Sequence, residues 1–235
     1  MIQRSLPALL LAGVAMLSAP AFAAAEKQDI SAAEKLLFMT RQLDNVALPA
    51  TLRYAFRQTG SEEPGFEDTV SVDVVSRVPG KKQCCKASGE FLTGARTLKL
   101  PDIEGAEGNP VVLYFLENDI RTMQRLTKGS QTYFRKRIRM ALFNGATVRS
   151  VRVTYKGKDI EGQEIVISPF LDDPNRAKFE KYLGKQYRFI LSPAVPGGVY
   201  GIQTTISATL PEQVLLMQQE MLIEGAPAFA PKASS

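Results

Sequence analysis

Histidine and tryptophan are both absent from this 235-residue chain, and cysteine occurs only twice. Without histidine there is no Ser–His–Asp or Cys–His nucleophile, no imidazole general base and no imidazole metal ligand. No Walker-type loop, G-x-G-x-x-G turn or G-x-S-x-G elbow occurs. Carboxylate-only, Ser–Lys or Tyr chemistry has no marker either. Lys185, Tyr187 and Ser192 are close in sequence but match no catalytic spacing. The chain therefore reads as non-enzymatic and as needing no cofactor. Past residue 23, no apolar run approaches the roughly 20 residues that a membrane-spanning helix requires.

What is present begins with MIQRSLPALLLAGVAMLSAPAFA. Arg4 is a charged n-region, Leu6 to Leu17 an apolar h-region, and Ala21-Phe22-Ala23 an A-x-A cleavage site, which together read as a signal peptide over 1–23. The mature chain would start at Ala24, with no cysteine there to carry a lipid anchor. The expected address is the bacterial periplasm, as a soluble protein, with secretion beyond it left open. Removing Arg4 leaves 28 basic against 24 acidic residues, a mild +4. That address argues against nucleic acid as a partner despite the basic balance.

The chain is organised around Asn109 to Leu142. Asn109 suits an N-cap and Pro110 the first helical position. Val112, Leu116, Ile120 and Met123 then share one helical face. Gly129 is expected to stop this helix and Ser130 to cap a second, with Phe134, Ile138, Ala141 and Leu142 on its apolar side. Arg121, Arg125, Lys128, Arg135, Lys136 and Arg139 make a basic cluster within the αα-hairpin. It reads either as a solvated face or as a contact surface for an anionic envelope component, lipid headgroup or protein partner.

β-type sequence flanks this pair. Ser31 and Glu34 form a capping-box pattern before a first helix. Thr51 to Thr59 and Phe66 to Val78 alternate as a hairpin around 60–65, and Phe91-Leu92 suggests a short strand. Beyond the helices, Thr147 to Tyr155 and a strand running to Phe170 pair around Lys156-Gly157, with Gly162 a candidate bulge. Asp172-Asp173-Pro174 opens a short helix to Leu183; the acidic pair reads as a turn and cap sooner than a cation site. Gln186–Leu191 and Val199–Ala208 form another pair. Pro211 is expected to open a last helix to Ile223, and 225–235 to be a disordered tail. The expected fold class is α+β. A single domain over 24–224 would hold six or seven antiparallel strands in a curved sheet or open half-barrel, covered by helices.

Two groups of residues stand out as sites. Tyr54, Phe56, Tyr155, Phe189 and Tyr200 are core by default, and in a half-barrel they are the candidate lining of a lipid-sized cavity. Cys84-Cys85 is the unusual local feature. It reads as incidental, as a vicinal disulfide switch, as a soft-metal thiolate site or as an intermolecular bridge. Lys81, Lys82 and Lys86 would increase thiol reactivity in an exposed loop.

The order of signal peptide, amphipathic helix, Leu52–Gln58 strand, antiparallel hairpins and inserted helices resembles periplasmic half-barrel carriers of the LolA/LolB type. The resemblance is one of architecture, and no binding residues transfer with it. It implies a concave side that accepts acyl chains and a role in carrying a lipid or lipoprotein across the periplasm. Three functions follow as expectations: a carrier of an amphipathic ligand, an interaction module using the basic hairpin, and a redox or metal role for the cysteines.

Overall fold

The structure, a computed structural model, describes residues 30–75, 84–99, 101–207 and 214–229. The expected signal peptide lies outside these residues, as do Lys81, Lys82 and the end of the tail, 230–235.

Alternation of apolar and polar residues dictates the sheet. In β1 (Ala50–Thr59), Leu52, Tyr54, Phe56 and Gln58 are buried while Thr51, Arg53, Ala55 and Arg57 face out. β2 (Phe66–Val75) buries Val70, Val72 and Val74 on the same face. β3 (Cys85–Phe91) follows, and its free edge is shared by two short strands, β4 (Leu98–Lys99) and β5 (Ile103–Ala106). After the helices come β6 (Thr147–Tyr155), β7 (Lys158–Ile167), β8 (Gln186–Leu191), β9 (Val199–Ser207) and β10 (Leu215–Ile223). All are antiparallel neighbours in one sheet, ordered β4-β3-β2-β1-β10-β9-β8-β7-β6.

The α+β class holds as an open antiparallel sheet with few helices, but the described residues form ten strands, above the expected six or seven. The main correction is at the C-terminus. Of the expected helix from Pro211 to Ile223, residues 211–213 lie outside the described residues, and Leu215–Ile223 is β10, paired with β1 and β9 in the middle of the sheet. Leu, Met, Gln and Glu are good helix formers, but Met217, Gln219 and Met221 alternate and fill the gap beside Phe56; tertiary pairing overrides propensity. The expected helix Asn175–Leu183 is two 3-10 turns, Arg176–Lys178 and Glu180–Tyr182. Gly162 is in regular register with Val151, so the bulge is not there; it lies opposite, between Ile190 and Leu191. Gly162 is needed for space, since a Cβ would sit 2.8 Å from the Leu191 carbonyl oxygen.

The first helix is short. α1 (Ala32–Glu34) carries the full capping box and runs into a π turn over Lys35–Met39. The central hairpin forms as α2 (Val111–Thr127) and α3 (Gln131–Asn144). Asn109 does cap α2, its Oδ1 accepting from the Val111 amide at 3.1 Å. Its Nδ2 also donates to Tyr54 Oη (2.8 Å) and the Gly197 carbonyl (2.9 Å), which ties the helix start to β1 and the β8–β9 loop. Lys128, not Gly129, takes the left-handed conformation that ends α2 (φ 60°). Gly129 instead leaves room for the Phe134 ring, which a Cβ would meet at 2.7 Å.

α2 packs against β3 and β9, and α3 against β7. Phe115 sits on Phe56 and Phe91, with ring centroids 6.4 and 6.3 Å away. Burial of each such ring is worth about 1.5–3 kcal/mol. A buried polar cluster interrupts this apolar interface. Asp119 of α2, fully buried, pairs with the equally buried Lys185 ammonium and accepts from Tyr187 Oη at 2.6 Å. The pair fixes how α2 sits on β8, because any slide would strand a charge in the core.

Candidate ligand-binding groove

One groove opens on the helical side, with a volume of about 810 Å3. Three elements build it. The α1 segment supplies Ile30, Phe38 and Met39, held in place where Ser31 Oγ donates to the Leu142 carbonyl at 3.0 Å. The hairpin supplies Leu113, Leu116 and Ile120 from α2, and Ile138 and Leu142 from α3. Pro101 and Ile103 form the wall on the sheet edge.

Leu116, Ile120, Ile138 and Leu142 belong to the core and only edge the groove, but Ile30, Phe38, Met39 and Leu113 are not spent on the core. Eight large apolar residues are exposed among the described residues, and four of them, Ile30, Phe38, Met39 and Leu113, line this groove. Met39 and Leu113 are 57% and 51% exposed. A contiguous apolar patch of this kind marks a place where something else is meant to bind. The rim is charged: Lys99, Arg121, Arg135 and Arg139 against Glu34 and Glu117. Tyr114 is also among the lining residues, and its buried hydroxyl has no hydrogen-bond partner among the described residues.

The six residues of the expected basic face divide. Arg121, Arg135 and Arg139 stand on the groove. Arg125 points away and forks onto Glu63, with Nη2 2.8 Å from Oε2. Lys128 and Lys136 are exposed and have no ion-pair partner among the described residues. The arginine that sequence reading passed over, Arg137, is the structural one. It donates to the Pro169 carbonyl (2.8 Å) and pairs with Asp173 at 3.0 Å. Asp173 also accepts from the Asn175 amide at 2.8 Å, which closes the turn expected at Asp172-Asp173.

The five aromatic candidates are placed elsewhere. Tyr54, Phe56 and Phe189 are at most 1% exposed and pack within the core. Tyr155 is half-buried on β6, and Tyr200 donates to the Thr154 carbonyl and sits 6.2 Å from the Phe229 ring. None of the five lines the helical groove. The missed signal was on the helices: Leu113 and Phe38 fall off the buried stripe, and an apolar residue outside the stripe is the sequence trace of an unpartnered surface.

A second groove, about 740 Å3, lies on the opposite face of the sheet. A row of charged and amide side chains crosses it from β6 to β2: Arg149, Glu164, Arg188, Gln203, Glu220, Arg57, Glu67. Glu164 takes both Arg149 and Arg188. Burial alone would raise its carboxyl; the two guanidiniums outweigh that and hold it below the ordinary 4.5. Glu220 is raised above 4.5, because burial there outweighs its weaker partners.

Cys84 and Cys85 are joined in a disulfide between adjacent residues, and both are buried beneath the first turns, with Cys84 Sγ 3.9 Å from the Leu43 carbonyl. The nearby Lys86 is engaged by Asp102 at 3.0 Å and Glu104 at 3.5 Å. Among the described residues, no group of three or more His, Cys, Asp or Glu is placed to hold a metal ion. No helix among them is long and apolar enough to cross a membrane.

The chain matches no family model and no curated protein. Among solved structures it is similar to the lipoprotein LppX of Mycobacterium tuberculosis, at a TM-score of 0.33 and 9% identity, over 85% of this chain and 99% of that one. A likeness that slight carries no functional conclusion.

Proposed function

We propose that this protein is a non-enzymatic binder or carrier of an amphipathic, lipid-like ligand, working in the periplasm, and that the ligand's apolar part occupies the groove between α1, the α2–α3 hairpin and β5. The observation that carries this reading is the concentration of exposed apolar side chains in one groove rimmed by cations. Its volume falls within the roughly 300–1,000 Å3 of sites for small ligands. The site differs from the aromatic strand lining that the sequence suggests, while the class of ligand is the same.

Native mass spectrometry of the protein taken from its own periplasm tests the proposal. A discrete added mass in the lipid range is the expected result. A bare monomer that takes up no fluorescent fatty acid counts against it.

A second reading assigns the basic hairpin to an anionic envelope partner, and exposed Lys128 and Lys136 favour it. Reversing those two to Glu leaves the groove untouched. Loss of partner capture with lipid uptake intact would support an interaction surface separate from the groove.

A further inference from the structure

We infer, building on the acyl-binding reading above, that the groove selects an acyl amphipath with an anionic headgroup, and that Tyr114 donates a hydrogen bond to an oxygen of that ligand. Two observations meet here. The first is the charge left over at the rim. Glu117 is taken by Arg121 (3.2 Å) and Arg135 (2.8 Å). Glu34 accepts from the Ser31 amide at 3.1 Å. Lys99 and Arg139 stand on the same rim with no ion-pair partner among the described residues. Four cations against two occupied carboxylates leave a positive mouth over an apolar floor. An anionic head complements that mouth, and a zwitterionic head brings its own cation into it.

The second observation is Tyr114. The residue lines the groove, is 2% exposed, and has a hydroxyl without a hydrogen-bond partner among the described residues. A buried hydroxyl without a hydrogen bond carries a desolvation cost that a ligand oxygen would remove. Burial and, secondly, the charge of Asp102 raise its pKa, so the phenol keeps its proton and serves as a donor. Asp102 itself is held by Lys86. The groove, about 810 Å3, has room for the acyl part of such a ligand.

The test compares lysophosphatidylglycerol with lysophosphatidylcholine of the same acyl chain. Each is titrated as monomer into the full chain and followed by calorimetry. Wild type should bind the anionic lipid about tenfold more tightly. Replacing Lys99→Ala and Arg139→Ala together should erase that preference while leaving lysophosphatidylcholine affinity within about twofold. Tyr114→Phe should weaken both lipids about fivefold at unchanged melting temperature, since both carry the same ester and glycerol oxygens. Equal wild-type affinity for the two lipids would overturn headgroup selection and leave the acyl site standing. Binding of neither would overturn the acyl site itself. Unchanged affinity in Tyr114→Phe would overturn the hydrogen bond. A dimer dispersed by Leu113→Asp would assign the groove to a second copy and overturn the inference.

Discussion

The two faces of the sheet carry grooves of nearly equal size, about 810 Å3 on the helical side and about 740 Å3 on the other. What differs is how their valences are used. On the outer face, charge is answered by charge: Arg149 and Arg188 close on Glu164, and Glu220 faces Arg57 and Gln203 across neighbouring strands. On the helical face, apolar side chains meet water, and among the described residues two cations lack counterparts and a tyrosine hydroxyl is unpaired. Cavity size therefore does not separate the two faces; unspent contacts do. Residues whose partners lie within the fold should change stability when altered, and residues facing the helical groove should change binding.

The largest expected effect is at the buried pair beneath the groove. Asp119→Ala leaves Lys185 charged and unpaired in the core, and should cost about 3–5 kcal/mol by denaturant unfolding. A loss below about 1 kcal/mol would mean that the pair is not buried as described.

Glu164→Gln on the outer face should cost about 1–3 kcal/mol, since it breaks two charge-assisted contacts to a fully buried side chain. The pH dependence has a definite sign. The folded carboxyl lies below the ordinary 4.5, so its contribution is present above pH 4.5 and is lost as pH falls through the lower folded value. The wild-type advantage over Glu164→Gln should thus shrink between neutral and strongly acidic pH. An advantage that grows on acidification would contradict the pairing.

Gly89→Ala links the two classes of residue. A Cβ there would sit 2.6 Å from the Ser71 carbonyl oxygen and 2.8 Å from the Tyr114 ring. The backbone contact should cost about 1–3 kcal/mol, and the displaced ring should weaken lipid binding as well. The smallest stability effects should come from the groove itself. Leu113→Asp and Arg139→Ala should stay within about 0.5 kcal/mol of wild type, since both side chains are exposed.

Much of the sheet was legible because its strands alternate. The β1–β2 and β6–β7 hairpins, the Lys156-Gly157 turn and the helical hairpin carry their patterns locally. β10 was not legible, because Leu215 to Ile223 is built of helix formers and its pairing with β1 joins segments far apart in sequence. Helix Asn175–Leu183 failed for a related reason. Asp173 and Arg137 pin that stretch to α3, and a turn satisfies them better than a continuous helix. The site was half legible. Arginines 121, 135 and 139 were visible as a basic arc, but only tertiary structure separates them from Arg125 and sets them beside Phe38 and Leu113. The strand aromatics misled because a helical hairpin that fits the sheet closely fills the space a carrier would keep open.

The most direct test of the account is uptake of a fluorescent fatty acid by the full chain, compared between wild type, Leu113→Asp and Glu164→Gln at neutral pH. Saturable binding that falls at least about tenfold in Leu113→Asp and persists in Glu164→Gln is the predicted result. Binding that survives Leu113→Asp and is lost in Glu164→Gln would place the ligand on the opposite face and contradict the account.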